Sequence, residues 1–81
     1  MDISILSYRG DSRNLKKVIT GILKSQCASK IHKLNYCQSF ELRDKNVQKS
    51  ETKMLIVYSE NKESLLKFVS KIPELEIVAD L

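Results

Sequence analysis

Leu34-Asn35-Tyr36-Cys37-Gln38-Ser39-Phe40-Glu41-Leu42-Arg43 is followed by Asp44-Lys45-Asn46 and then by Val47-Gln48-Lys49-Ser50-Glu51-Thr52-Lys53-Met54-Leu55-Ile56-Val57-Tyr58. The first run has a period of two: Leu34, Tyr36, Phe40 and Leu42 fall on one face, with Gln38 as its polar exception. Lys33, Asn35, Cys37, Ser39, Glu41 and Arg43 fall on the other. Asp44-Lys45-Asn46 is turn material, and the second run alternates weakly before its dense end at Met54-Leu55-Ile56-Val57-Tyr58. Two runs of roughly ten residues joined by about three form a hairpin arm about 33 Å long. An arm of that reach exceeds what a small core can cover, so its distal half is expected to need a partner.

The flanks complete the order of elements. Ile3-Ser4-Ile5-Leu6-Ser7-Tyr8 reads as a strand that ends at Gly10, and Asp11 or Ser12 can cap a following helix. Leu15, Val18, Ile19, Ile22 and Leu23 stand at offsets 0, 3, 4, 7 and 8, the spacing of one helical face. Gly21 lies inside that helix at a cost of up to about 1 kcal/mol, which points to close packing against the sheet. After the hairpin, Asn61 caps a second helix carrying Leu65, Leu66, Phe68, Val69 and Ile72, and Pro73 stops it. Leu75, Ile77, Ala79 and Leu81 alternate with Glu76, Val78 and Asp80 as a last strand. The expected fold is therefore α+β and ferredoxin-like, βαββαβ. It is a single domain over residues 1–81, with a four-stranded antiparallel sheet and two helices on one face. The other face must be solvated, ligand-bound or packed on a neighbour.

Eighty-one residues leave no room for a second core. Apolar residues at 42%, charged ones at 30%, two Gly and one Pro exclude a disordered or low-complexity chain. Two cysteines cannot build the disulfide framework of a small secreted domain. The chain opens without a basic n-region and long apolar run, and no stretch reaches the roughly 20 apolar residues of a membrane span. The expected compartment is a reducing cytoplasm, with no membrane partner. Net charge is +4 but uneven: Arg13 to Lys53 holds ten basic and three acidic residues, Met54 to Leu81 three basic and five acidic. Such a balance permits an anionic partner without requiring one.

Candidate chemistry is sparse. Cys27, His32 and Cys37 form a Cys-x4-His-x4-Cys cluster whose thiolate and imidazole donors suit Cu or Zn. The spacing matches none of the usual structural zinc patterns, and two subunits close such a site more readily than one. With one His and no nucleophile motif around it, hydrolytic chemistry has no support, and the chain is expected not to be an enzyme. Gly10 and Gly21 are isolated, so there is no glycine-rich phosphate loop. The βαββαβ order also occurs in RNA-recognition domains, and Lys16, Lys17, Lys24, Lys30 and Lys33 form a diffuse basic patch. The glycine–aromatic pattern of those domains is missing, however, so a nucleic acid ranks below other partners.

Cys27-Ala28-Ser29-Lys30-Ile31, Ser39-Phe40-Glu41, Val47-Gln48-Lys49-Ser50-Glu51 and Leu75-Glu76-Ile77-Val78-Ala79, in that order and spacing, resemble the CutA family of divalent-cation tolerance proteins. The resemblance spans roughly Ile3 to Leu81. It implies a ferredoxin-like subunit, related in shape to P-II regulatory proteins, that assembles as a homotrimer through long hairpin arms, with a link to copper tolerance and no enzyme activity. The chain departs from the family's pattern at metal and pocket positions. Lys30 stands where the family has its cysteine, Arg43 at its tryptophan, Glu41 at its tyrosine, and Ile72-Pro73-Glu74 is a shortened segment without its histidine. Glu51 is the best-matched polar position and is expected to serve the pocket or the arm. The alternative expectation is a P-II- or ACT-like regulatory module, with a small anionic ligand held between subunits by Arg43, Lys45 or Lys49. A small RNA-binding domain is the third.

Overall fold

The computed structural model describes every residue except 35 and 36; the expected place of Tyr36 on the face of Leu34 lies outside the described residues. Six elements follow in the expected order: β1 (Asp2–Tyr8), α1 (Ser12–Lys24), β2 (Lys30–Arg43), β3 (Asn46–Ser59), α2 (Lys62–Ser70) and β4 (Leu75–Asp80). The strands form one antiparallel sheet in the order β2-β3-β1-β4. This is the ferredoxin-like arrangement the periodicity implies.

The core lies on one face of the sheet. Ser4, Leu6 and Tyr8 from β1, Leu55 and Val57 from β3, and Leu75 from β4 are buried with Leu15 and Ile22 of α1 and Leu65 and Val69 of α2. Val18, Ile19, Ile31, Phe68, Ile72 and Ile77 pack around this cluster. The Asp11 carboxylate caps α1 by accepting from Arg13 N–H at 3.0 Å, and Asn61 Oδ1 caps α2 by accepting from Ser64 N–H at 3.2 Å. Gly21 packs against α2 rather than the sheet: a Cβ there would come within 2.9 Å of Phe68 Cζ. The missing side chain thus lets the two helices close on each other.

α1 ends without glycine. Gln26 takes the left-handed conformation (φ 61°), Gln26 N–H donates to Leu23 O, and Cys27 N–H donates to Ile22 O. This pair of bonds is a Schellman motif, in which the residue two past the cap folds back onto the helix. That residue is Cys27, and it is buried as a consequence.

β2 starts four residues earlier than the alternation indicates, and β2 and β3 are 14 residues each. They join through Asp44 and Lys45, both left-handed (φ 49° and 67°). Two central residues at positive φ make the tight turn that suits the twist of a hairpin. The radius of gyration is 13.2 Å, against about 12 Å for a compact chain of this length, and the longest dimension is 42 Å. The excess is the projecting arm. Among the described residues, no helix is long and apolar enough to cross a membrane.

One polar link ties β4 to the start of α2. Ser4 Oγ donates to Asp80 Oδ1 at 2.9 Å, and Lys62 Nζ lies 3.0 Å from Asp80 Oδ2. The Lys62 contact first, then the Ser4 hydroxyl, holds the Asp80 carboxyl below its ordinary value of 3.8. A carboxyl depressed by folding stabilises the fold above its unfolded pKa, and this contribution is lost as pH falls through its folded pKa. Asp80→Asn is therefore expected to lower the urea midpoint at pH 7 while matching the parent once pH lies well below 3.8. A constant difference between the two across that acid window would contradict this assignment.

Candidate functional site

The face of the sheet opposite the helices is unpaired with any other layer among the described residues. Across it run the cross-strand rows Ile3–Tyr58–Lys30, Ile5–Ile56–His32 and Ser7–Met54–Leu34. Ile3, Ile5, Met54 and Ile56 are only half-buried, and Leu34 is exposed. The strip is apolar at its centre and polar toward the arm.

The pairing register of β2 shifts by one residue between Leu34 and Cys37, which rearranges its faces. Leu34 pairs with Met54 and Cys37 with Thr52, so three steps on β2 match two on β3. The alternation therefore changes sides. Leu34 and Cys37 share the open face, whereas Phe40 and Leu42 are carried to the helix side of the arm. The sequence-based expectation of one continuous apolar face from Leu34 to Leu42, with Cys37 opposite, is corrected on both counts. On the helix side of the arm, beyond the reach of either helix, Phe40, Leu42 and Val47 are 63%, 75% and 70% exposed, and Leu42 pairs with Val47.

The three soft donors are not brought together within the subunit. Cys27 is buried on the helix side, where its Sγ lies 3.2 Å from Ser25 Oγ and donates to Ser64 O at 3.5 Å. His32 is on the open face, its ring edge-on to Tyr58 with centroids 5.5 Å apart. Cys37, half-buried and unoxidised, is on that face too, but their β3 partners Ile56 and Thr52 are four residues apart. Four residues of strand span about 13 Å, far beyond the ~2 Å bonds of a shared metal. No group of three His, Cys, Asp or Glu among the described residues can hold an ion. The donor set does not fit a copper or zinc ion inside one subunit.

The anion candidates fare differently. A shallow groove of about 420 Å³ along the arm is lined by Arg9, Glu41, Arg43, Lys49, Glu51 and Thr52 with Gln48 and Ser50. It adjoins a second hollow of about 320 Å³ that brings in Ser7, Ser39, Met54 and Glu76. Arg43, Lys49 and Glu51 thus border one groove, while Lys45 stands at the turn and does not. Register puts Arg43 on the open face, and Lys49 and Glu51 opposite Phe40 and Gln38 on the other. Arg43 Nε donates to Glu41 Oε2 at 3.1 Å, and Arg9 Nη2 lies 3.7 Å from Glu76 Oε2. All four side chains are exposed, so each pair contributes little to stability, but each arginine already faces a carboxylate. Arg9 also lines this groove, a member that the hairpin's own sequence does not include. Its signal is its place one residue after buried Tyr8, which sends its side chain to the opposite face.

The basic patch is divided as well. Lys16, Lys17 and Lys24 are on the helix layer, and Lys33 is on the helix side of β2 opposite Leu55. Lys30 is on the open face with its Nζ 5.9 Å from the Tyr58 ring centroid.

No protein-family model matches the chain, and no curated protein matches it in sequence. Solved structures do match. CutA1 from Pyrococcus horikoshii superposes with a TM-score of 0.77 at 16% identity, covering 100% of this chain and 83% of that one. A divalent cation tolerance protein from Thermus thermophilus gives 0.68 at 11% identity, covering 98% and 84%. CutA1 from Oryza sativa gives 0.68 at 16% identity, covering 94% and 76%. The chain has the CutA1 fold over its whole length, in agreement with the resemblance carried by its motifs.

Proposed function

We propose, from this fold and its unaccompanied arm, that the chain is a non-enzymatic CutA-like subunit of a homotrimer, acting in divalent-cation tolerance or signalling in a reducing cytoplasm. The observation that carries the reading is the exposure of Phe40, Leu42 and Val47 on an arm that no other element covers. Apolar side chains clustered in this way mark an interaction site, and a second copy supplies the missing cover. The cation is held between subunits, by His32 and Cys37 of the open face, since Cys27 is occupied in the core. Copper in the Cu(I) state and zinc suit those donors.

The test is calorimetric titration of reduced, chelator-treated protein with Zn(II) and Cu(I), in parallel with Cys37→Ser and Cys27→Ser. Saturable binding by the parent, lost in Cys37→Ser and retained in Cys27→Ser, is expected. Equal binding by the parent and Cys37→Ser would end the cation reading.

The groove favours a second reading, a P-II- or ACT-like module for a small anionic ligand. Arg9 and Arg43 line it together, and a carboxylate or phosphate contributed at a subunit junction would compete with Glu76 and Glu41 for them.

A further inference from the structure

Charge in this molecule is sorted by layer. The two helices hold six basic residues (Arg13, Lys16, Lys17, Lys24, Lys62 and Lys67) against one acidic residue, Glu63. The rest of the chain holds eight basic and nine acidic residues. The helix layer thus has a net charge of +5 and everything else a net charge of −1. Of the six, only Lys62 is ion-paired among the described residues.

The unpaired cations are also ordered. Arg13, Lys17, Thr20 and Lys24 stand at offsets 0, 4, 7 and 11, which places them within about 60° of one another on α1 along about 16 Å of its axis. All four are exposed. Leu15 and Ile22 point the other way, into the core. With Lys16 and Gly21, these four residues border a shallow hollow of about 540 Å³. On α2, Lys67 and the cap residue Lys71 are one turn apart and exposed. The contact of Gly21 with Phe68 sets the helices side by side, and packed helices run about 8–10 Å apart. The row of cations on α1 therefore has Lys67 and Lys71 beside it, with Glu63 one turn before Lys67 as the one acidic residue of the helix layer.

We infer that this helix layer is a docking surface for the sugar-phosphate backbone of a nucleic-acid duplex, bound without base readout. Linear rows of Lys and Arg, with a Thr hydroxyl able to donate within the row, match a linear polyanion. Single-strand binding by base stacking needs exposed aromatic rings. The helices carry none: Phe68, their one aromatic residue, is partly buried against α1. Membrane-surface helices place apolar side chains opposite the cations for insertion, and here Leu15, Ile22, Leu65 and Val69 of those stripes are buried in the core, which leaves Leu23 and Leu66 as the large apolar side chains exposed on the helices. The inference stands on α1 and α2 alone and is independent of the subunit assembly proposed above.

Fluorescence anisotropy with a short mixed-sequence DNA duplex tests it, using the full chain. Binding is expected to weaken roughly 100-fold between about 50 and about 200 mM salt, the dependence of about four released counterions. Arg13→Glu/Lys17→Glu/Lys24→Glu is expected to abolish binding with an unchanged circular dichroism spectrum, and Lys45→Glu/Lys49→Glu on the arm to retain it. Should the triple variant fail to fold, the milder Lys17→Gln/Lys24→Gln replaces it, with a salt slope reduced by about two. Unaltered binding by the helix variant, equal loss in the arm variant, or binding to phosphatidylserine vesicles but not to the duplex would each overturn the inference.

Discussion

Serine at both Phe40 and Leu42 is expected to reduce the solution mass to that of one 9.3 kDa subunit. Neither side chain supports its own subunit, being 63% and 75% exposed, so the variant keeps its fold; changes at such positions usually stay within about 0.5 kcal/mol. The proposed assembly would bury both, and burying a Phe or Leu side chain contributes about 1.5–3 kcal/mol. Two per arm amount to about 3–6 kcal/mol, or at least about a hundredfold in the association constant per arm. Leu66→Ser, on the flank of α2, is the matched control and leaves the mass unaltered. Light scattering at matched concentration reads both. An unchanged mass for the arm variant would remove the arm from the interface.

The second large effect is within the subunit. Leu55 is fully buried at the centre of the sheet, opposite Leu6 on β1 and Lys33 on β2. Truncating a buried Leu to Ala costs about 2–5 kcal/mol, through lost transfer energy and the cavity left behind. A chain of this length has about 4–12 kcal/mol in total, so Leu55→Ala removes a large fraction of its stability. The urea midpoint is expected to fall accordingly, with a similar slope if the unfolded state is unaffected. Leu81→Ala, at a position 79% exposed, should change it little. Comparable losses at the two sites would place the core elsewhere.

Much of this architecture is legible in the residues because two periods are written plainly. Leu15 to Leu23 repeat at helical spacing, Leu34 to Leu42 at strand spacing, and Asp11, Asn61 and Pro73 punctuate them. The rest depends on backbone states that no local residue type announces. The register shift between Leu34 and Cys37 places Cys37 on the open face and Phe40 on the helix side, and strict alternation along the sequence does not announce it. Gln26 and Lys45 take left-handed conformations more often given to Gly or Asn. The consequence for the candidate site is direct. Spacing alone groups Cys27 with His32 and Cys37, whereas the Schellman turn at Gln26 folds Cys27 into the core. Arg43, Lys49 and Glu51 do meet at one groove, because proximity along a hairpin survives a register shift of one residue, and Arg9 joins them only through the pairing of β1 with β3, which is long-range.

The most direct test of the central claim, that the uncovered arm builds an oligomer, is the mass of the parent protein by light scattering, reduced and treated with chelator. Three times 9.3 kDa, unaltered when Zn(II) or Cu(I) is then added, is the predicted result. A mass of 9.3 kDa under both conditions would leave Phe40, Leu42 and Val47 exposed on a lone subunit and would contradict the account.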